Sequence, residues 1–139
     1  LDTRSQELVS LKTEMDFVDA YIFLQKIRFD DKLEISIDYE GYEQKMIPPM
    51  ALQMLLENAI KHNVIAEEQH LKIDFAVNEN GMLIVKNNLQ KKNIPSEDSS
   101  GMGLANIQSR YEFLSDRKVE IVNGPTEFIV KVPLLDFEK

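Results

Sequence analysis

The chain has 139 residues, enough for one compact domain and too few for two ordinary ones. Apolar residues make up 43%, which supports a buried core, and the absence of cysteine excludes disulfide scaffolds, thiolate zinc sites and a cysteine nucleophile. A net charge of −8 is the wrong field for a general nucleic-acid or anionic-membrane binder.

No apolar run approaches the ~18–20 residues of a membrane span. The opening Leu1-Asp2-Thr3-Arg4 has neither an initiating Met nor a signal-peptide core, so the chain is expected to be the C-terminal piece of a longer protein. Residues 1–10 read as a frayed lead-in. From Leu11 a helix is predicted: Leu11, Met15, Val18 and Ile22 form one stripe, with Phe17, Tyr21, Leu24 and Arg28 on a second. Ser10 suits the N-cap, and Phe29-Asp30-Asp31 ends the pattern. Leu33, Ile35 and Ile37 then alternate with polar residues as a half-buried strand running to a Glu40-Gly41 turn.

Pro48-Pro49 is predicted to open a second helix, with Leu52, Leu55, Leu56 and Ala59 buried and Asn63 as its C-terminal cap. Ile73, Phe75 and Val77 alternate before the Asn78-Glu79-Asn80-Gly81 turn, and Leu83 to Val85 return as a hairpin. The polar stretch from Asn87 to Ser100 reads as a mobile loop. Leu104, Ile107, Tyr111 and Leu114 then repeat at helical spacing, and strands Val119–Val122 and Phe128–Val132 close the chain. One α+β domain over 1–139 is expected: a two-layer α/β sandwich, its mixed, mostly antiparallel sheet covered on one face by three helices.

Three places suit chemistry. Asn58, Lys61 and His62 are neighbours on one helix surface, where an amide oxygen, an ammonium and an imidazole can serve a hydrated cation and phosphate oxygens. The competing reading is a solvated edge, with Glu57 and Lys61 as an i, i+4 pair worth only ~0.2–0.5 kcal/mol. Gly101-Met102-Gly103-Leu104 precedes a helix, where free N–H groups suit an anion; a plain hinge is the alternative. No Gly-Lys-Ser/Thr follows, and Asn106 stands where a dinucleotide fingerprint has its third glycine. Asn87-Asn88 either starts a turn or offers an amide to a base edge. His70 reads as a surface residue and the six methionines as core filler.

In this order, Glu57-Asn58-Ala59-Ile60-Lys61-His62, a hairpin, a polar loop and Gly101-Met102-Gly103-Leu104-Ala105-Asn106-Ile107 resemble the catalytic ATP-binding domain of sensor histidine kinases, the GHKL or Bergerat fold. The LytS-type branch is the best match. It shares the run Tyr21-Ile22-Phe23-Leu24-Gln25-Lys26-Ile27-Arg28-Phe29, the stretch from Ile47-Pro48-Pro49 to His62-Asn63, and the closing Thr126-Glu127-Phe128-Ile129-Val130-Lys131-Val132-Pro133. The resemblance covers about residues 10–134.

It implies that Asn58 holds Mg²⁺ between the phosphates of ATP, that Lys61 and His62 contact phosphate oxygens, and that Gly101, Gly103 and Leu104 belong to a glycine box. It puts Thr126 near the adenine and makes the residues between Asn88 and Ser100 a lid. The adenine-reading aspartate of the family falls on Asn87, with Leu89 where glycine is usual and Asn63 replacing the glycine after His62. A neutral amide is the weaker acceptor, which predicts weakened base recognition. Relatives that hydrolyse ATP carry a glutamate base one turn before the magnesium asparagine. Met54 stands there, so the site suits phosphoryl transfer rather than water activation, with Glu57 as a candidate for polarising the acceptor.

The resemblance further implies an acceptor histidine on upstream dimerisation helices, a homodimeric parent anchored in the inner membrane with this domain in the cytoplasm, and a response regulator as indirect partner. The competing function is a degenerate kinase-like module acting through protein contacts. A serine-directed anti-sigma-type kinase is disfavoured by the run around Arg28.

Overall fold

The computed structural model describes residues 8–92 and 102–136. A short strand β1 (Val9–Ser10) leads into helix α1 (Leu11–Phe29). The side chain of Ser10 accepts from Thr13 N at 3.1 Å, as an N-cap does. A single 3₁₀ turn (Asp30–Lys32) follows, then strand β2 (Leu33–Asp38), the two-residue β3 (Met46–Ile47), helix α2 (Ala51–His62) and strands β4 (Leu71–Val77) and β5 (Met82–Asn88). Helix α3 (Met102–Leu114) and strands β6 (Glu120–Asn123) and β7 (Glu127–Pro133) complete the fold.

The main sheet has the order β2-β4-β5-β7-β6. β2 and β4 run parallel, which two-residue turns cannot achieve; the crossover carries α2. The remaining pairs are antiparallel. Along β4, Leu71, Ile73 and Phe75 are buried while Lys72, Asp74 and Ala76 are exposed, so one sheet face packs and the other meets solvent. The packed face joins Leu11, Met15 and Val18 of α1, Leu52, Leu55, Leu56 and Ala59 of α2, and Ile107 and Tyr111 of α3 in one core. The architecture is therefore the expected two-layer α+β sandwich.

Three local expectations change. Residues 9–10 are not frayed: β1 pairs antiparallel with β3, and Leu11 N donates to Lys45 O at 2.7 Å. Two-residue strands carry too little periodicity to be seen in sequence. Second, α2 begins at Ala51, not at the proline pair, because Met50 takes a left-handed conformation (φ 68°) just before it. Third, Met102 and Gly103 already lie within α3.

What holds α2 in place is a carboxylate from α1. Glu14, 1% exposed, accepts from Met50 N at 2.8 Å through one oxygen and from Leu52 N at 3.0 Å and Gln53 N at 3.4 Å through the other. It satisfies N–H groups that a helix start leaves without partners and puts a negative charge at the positive end of the α2 dipole.

Candidate functional site

At the other end of α2 the chain builds a cleft. After the helix, Asn63 caps it by donating Nδ2–H to Ala59 O at 2.8 Å, and its Oδ1 accepts from Gln90 N at 2.7 Å. Val64 N donates to Gln90 O at 2.7 Å, Lys92 N donates to His62 O at 3.1 Å, and Gln90 Nε2–H reaches both Val64 O and Gln69 O at 2.9 Å. The segment leaving β5 is thereby fastened to the segment leaving α2. On the other side Leu89 N donates to Thr126 O at 2.9 Å, tying that segment to the β6–β7 turn.

Between these walls lies a cavity of about 320 Å³. Asn58 and His62 of α2, Asn87 of β5 and Leu104 of α3 line it together, with Phe128 on its apolar side and Lys91 and Lys92 at its rim. Its volume suits a small-molecule site, about 300–1,000 Å³. Among the described residues no carboxylate lines it, so in a chain of net charge −8 these residues set the local field with amides and two lysines. That is an anion's environment.

Asn58 is half-buried, and its side chain makes no hydrogen bond to another described residue. His62 is also half-buried, and its pKa is lowered by burial and then by the neighbouring Lys61 and Lys92 ammoniums. Near neutral pH it therefore meets a ligand as a neutral imidazole, able to donate one N–H but carrying no charge. Asn87 is 3% exposed and donates Nδ2–H to Asn88 O at 2.8 Å, which leaves its oxygen as the acceptor on the cavity side. Asn88 serves the sheet instead. Its oxygen accepts from Lys72 N at 2.7 Å and its amide donates to His70 O at 3.1 Å, bracing β4.

Other candidates do not join this lining. Glu57 and Lys61 are exposed on α2, outside the cavity, and do not pair with each other within 4 Å. The charge of Glu57 acts instead on Tyr21 of α1, whose phenol pKa is raised first by burial and then by that carboxylate. Gly103 faces α2, where a Cβ would lie 4.0 Å from Met54 Cε, and only the next residue, Leu104, reaches the cavity. Thr126 is exposed at its turn and contributes its carbonyl to Leu89. Of the lid expected between Asn88 and Ser100, Leu89, Lys91 and Lys92 line the cavity, while the residues from 93 on, and Gly101, lie outside the described residues.

Sequence reasoning passed over Asn123 and Phe128 as lining residues and took Lys91 and Lys92 only as part of the lid. The adjacent lysines directly after a strand were the one available signal. Among the described residues no group of three or more His, Asp or Glu side chains is placed to hold a metal. The carboxamide of Asn58, unbonded among the described residues, does fit Mg²⁺, which keeps several waters and takes phosphate oxygens alongside one or two protein ligands.

A family model described as Histidine kinase matches residues 1–33. The chain is similar to the sensor protein LytS of Bacillus subtilis (strain 168), at 30% identity over 93% of this chain and 25% of that protein. It thus spans about a quarter of the length of the curated relatives it matches. Among solved structures it is similar to the catalytic domain of histidine kinase ThkA, with a TM-score of 0.60 at 14% identity over 93% of this chain and 96% of that one. It is also similar to full-length ShkA in complex with AMPPNP, with a TM-score of 0.56 at 17% identity over 93% of this chain and 31% of that one. At such identities the structural likenesses establish the fold.

Proposed function

We propose that this chain is the catalytic domain of a LytS-type sensor histidine kinase, that it binds Mg-ATP in the cavity beside α2, and that it donates the γ-phosphoryl group to a histidine carried elsewhere in the intact protein. The observation that carries this reading is the cavity in which Asn58, His62, Asn87 and Leu104 meet with no carboxylate among the described lining residues.

In this reading Asn58 would hold Mg²⁺ through its carboxamide oxygen, and the ion when bound would supply charge neutralisation for the phosphates. Lys91 and Lys92 add positive charge at the rim, and neutral His62 donates a hydrogen bond to a phosphate oxygen. The Asn87 oxygen accepts from the exocyclic amine of adenine, whose ring rests near Phe128. Transfer breaks the bond between the γ-phosphorus and the β–γ bridging oxygen and forms a bond to an imidazole nitrogen; ADP keeps the bridging oxygen. Lys61 and Glu57, exposed outside the cavity, are in this reading available to the incoming acceptor rather than to the nucleotide pocket. The AMPPNP bound to ShkA, a protein of the same fold, supports a nucleotide of this class.

The intact protein in this reading is a membrane-anchored homodimer. Its dimerisation helices present the acceptor histidine, and its response regulator receives the phosphoryl group. No helix of the described residues is long and apolar enough to cross a membrane.

Calorimetry with ATP, ADP and GTP, each with Mg²⁺ and with EDTA, tests binding. Adenine nucleotides are expected to bind with Mg²⁺ and to lose most of that affinity in EDTA. Unchanged affinity in EDTA contradicts the role given to Asn58. Asn87 keeps a second reading in view, a module that binds nucleotide weakly and acts by protein contacts, because a neutral amide replaces the carboxylate expected there. Radiolabel transfer from ATP to the histidine-bearing part of the protein separates the two.

A further inference from the structure

The end of the main sheet away from the nucleotide cavity carries a further concavity. It holds about 400 Å³ and lies at the corner where the β4–β5 turn, the segment between α3 and β6, and strands β6 and β7 come together. Met82, the first residue of β5 and 5% exposed, is part of its lining. Asn87, on the wall of the nucleotide cavity, is five residues further along the same strand, about 17 Å at ~3.4 Å per residue. The two cavities share no lining residue.

The charge of this corner is the inverse of the chain's. Arg117, Lys118 and Lys131 line it against one carboxylate, Glu120, in a chain of net charge −8. Glu120 and Lys131 are directly opposed on β6 and β7, yet no ion pair within 4 Å joins them. Nor does one join Arg117 or Lys118 to a carboxylate among the described residues. Cations gathered around one concavity repel each other, and an anion seated between them turns that repulsion into attraction. The guanidinium is also held in place beforehand. Arg117 Nη2–H donates to Asn80 O at 2.7 Å, and Nη1 lies 4.0 Å from where a Cβ of Gly81 would stand. That turn is itself fixed: Asn78 Oδ1 accepts from Asn80 N at 2.9 Å and from Met82 N at 3.0 Å, and Gly81 supplies the positive φ of 73°. A guanidinium carries five N–H donors, and Asn80 O is its one acceptor among the described residues.

We infer that this corner binds a small oxyanion of two or more negative charges, a phosphorylated or polycarboxylate metabolite. Arg117 is the pre-set fork, which matches the paired oxygens of a phosphate or a carboxylate, and Lys118 and Lys131 add point charges. The volume is that of a small-molecule site. Glu120 sets the charge requirement, because a monovalent anion brings too little charge to offset its repulsion. The inference goes beyond the kinase reading and does not depend on it.

The test uses the ¹⁵N-labelled 139-residue chain, whose core is complete within it, titrated with pyrophosphate in one arm and citrate in the other. The amide signals of Asn80, Gly81 and Lys118 are expected to shift along saturating curves, with a Kd of about 1 mM or tighter. Saturation by pyrophosphate alone supports the site with phosphate as its ligand group; saturation by citrate alone supports it with carboxylate; saturation by both supports recognition by charge. Curves that fail to saturate through about 10 mM in both arms overturn the proposal. Shifts confined to Lys91 and Lys92 overturn it too, because they place the anion in the nucleotide cavity. Arg117→Gln and Lys131→Gln are each expected to weaken binding at least about fivefold. Glu120→Gln, which removes the opposing charge, is expected to tighten it about two- to threefold. Binding that is unchanged or weaker in Glu120→Gln contradicts the assignment. Lys131→Gln and Glu120→Gln leave the bond from Arg117 to the turn intact, so the test survives a loss of fold in Arg117→Gln. Failure of the unmodified chain to bind Mg-ATP sinks the nucleotide reading alone, because the signals at the turn report this corner separately.

Discussion

The two ends of α2 are both polar, and they differ in what their polar groups do. At the N-terminal end the groups are spent on the fold: Met50, Leu52 and Gln53 all donate to Glu14, which water scarcely reaches. At the C-terminal end Asn58 and His62 are half-buried on the wall of a cavity, with hydrogen-bonding capacity left over. One end anchors the helix so that the other can present side chains in a fixed orientation. The same substitution, a polar residue to alanine, should therefore cost stability at one end and binding at the other.

Glu14→Ala has the largest expected effect. It leaves buried N–H groups without acceptors, each costing about 1–3 kcal/mol, so a loss of at least about 3 kcal/mol is expected in urea unfolding. Glu14→Gln, which keeps one acceptor oxygen, should fall between. An unchanged unfolding midpoint for Glu14→Ala removes the contrast between the ends. Asn58→Ala comes next: Mg-ATP affinity should fall at least about tenfold, while the melting temperature stays within a degree or two, since a half-buried amide that bonds to none of the described residues holds little together. A cooperative loss of stability there assigns Asn58 to the fold instead.

How much of this contrast was readable in sequence follows from the range of the interactions. The buried stripe of α2, the Ser10 cap and the hairpin at Asn78–Gly81 were legible because each depends on neighbours a few residues away. Asn63 was legible as a cap for the same reason. Glu14 was not: its partners lie 36 to 39 residues downstream, and in sequence it looks like any charged residue on a helix. Lys91 and Lys92 were absorbed into a loop because only the bonds between residues 62–64 and 90–92 bring them to the cavity. Conversely, Lys61 is next to His62 in sequence yet points elsewhere, since adjacent residues are separated by about 100° around a helix. The second stripe of α1, visible as Phe17 and Leu24, was legible as a separate face; that it would stay uncovered depends on what the rest of the chain can reach.

Two substitutions sharpen the cavity end further. Asn87→Asp is expected to raise affinity for adenine nucleotides by about tenfold, or ~1–2 kcal/mol, because a charged acceptor strengthens the bond to the amine. It should also lower stability by about 1 kcal/mol, because the bond from Asn87 Nδ2 to Asn88 O is lost at a buried position. An equal gain for GTP shows that the residue does not read the base. Gly103→Ala should be smaller and opposite in sign for stability. Gly103 lies in the first turn of α3 and the space for a Cβ is ordinary contact at 4.0 Å from Met54 Cε, so the gain should be only a part of the about 1 kcal/mol by which alanine is favoured over glycine in a helix interior. A higher melting temperature with weaker nucleotide binding assigns the glycine to the ligand; unchanged binding assigns it to neither.

The smallest expected effect is the pH dependence carried by His62. Its folded pKa lies below the ordinary 6.5, chiefly through burial and then through Lys61 and Lys92. As pH falls through 6.5 the unfolded chain takes up this proton first, so the native state loses stability on acidification across the window between the two values and is unaffected above it. The signature is a difference: His62→Gln, which cannot titrate, should gain on the unmodified chain as pH falls below 6.5. A bound triphosphate reverses the local field, because an anion near the imidazole favours its charged form. Mg-ATP should therefore move the His62 titration upward in NMR, in a chain where His70 is the only other imidazole to assign. If the His62 signals titrate identically with and without nucleotide, the phosphates do not reach this end of α2, and the cavity's polar groups serve some other ligand.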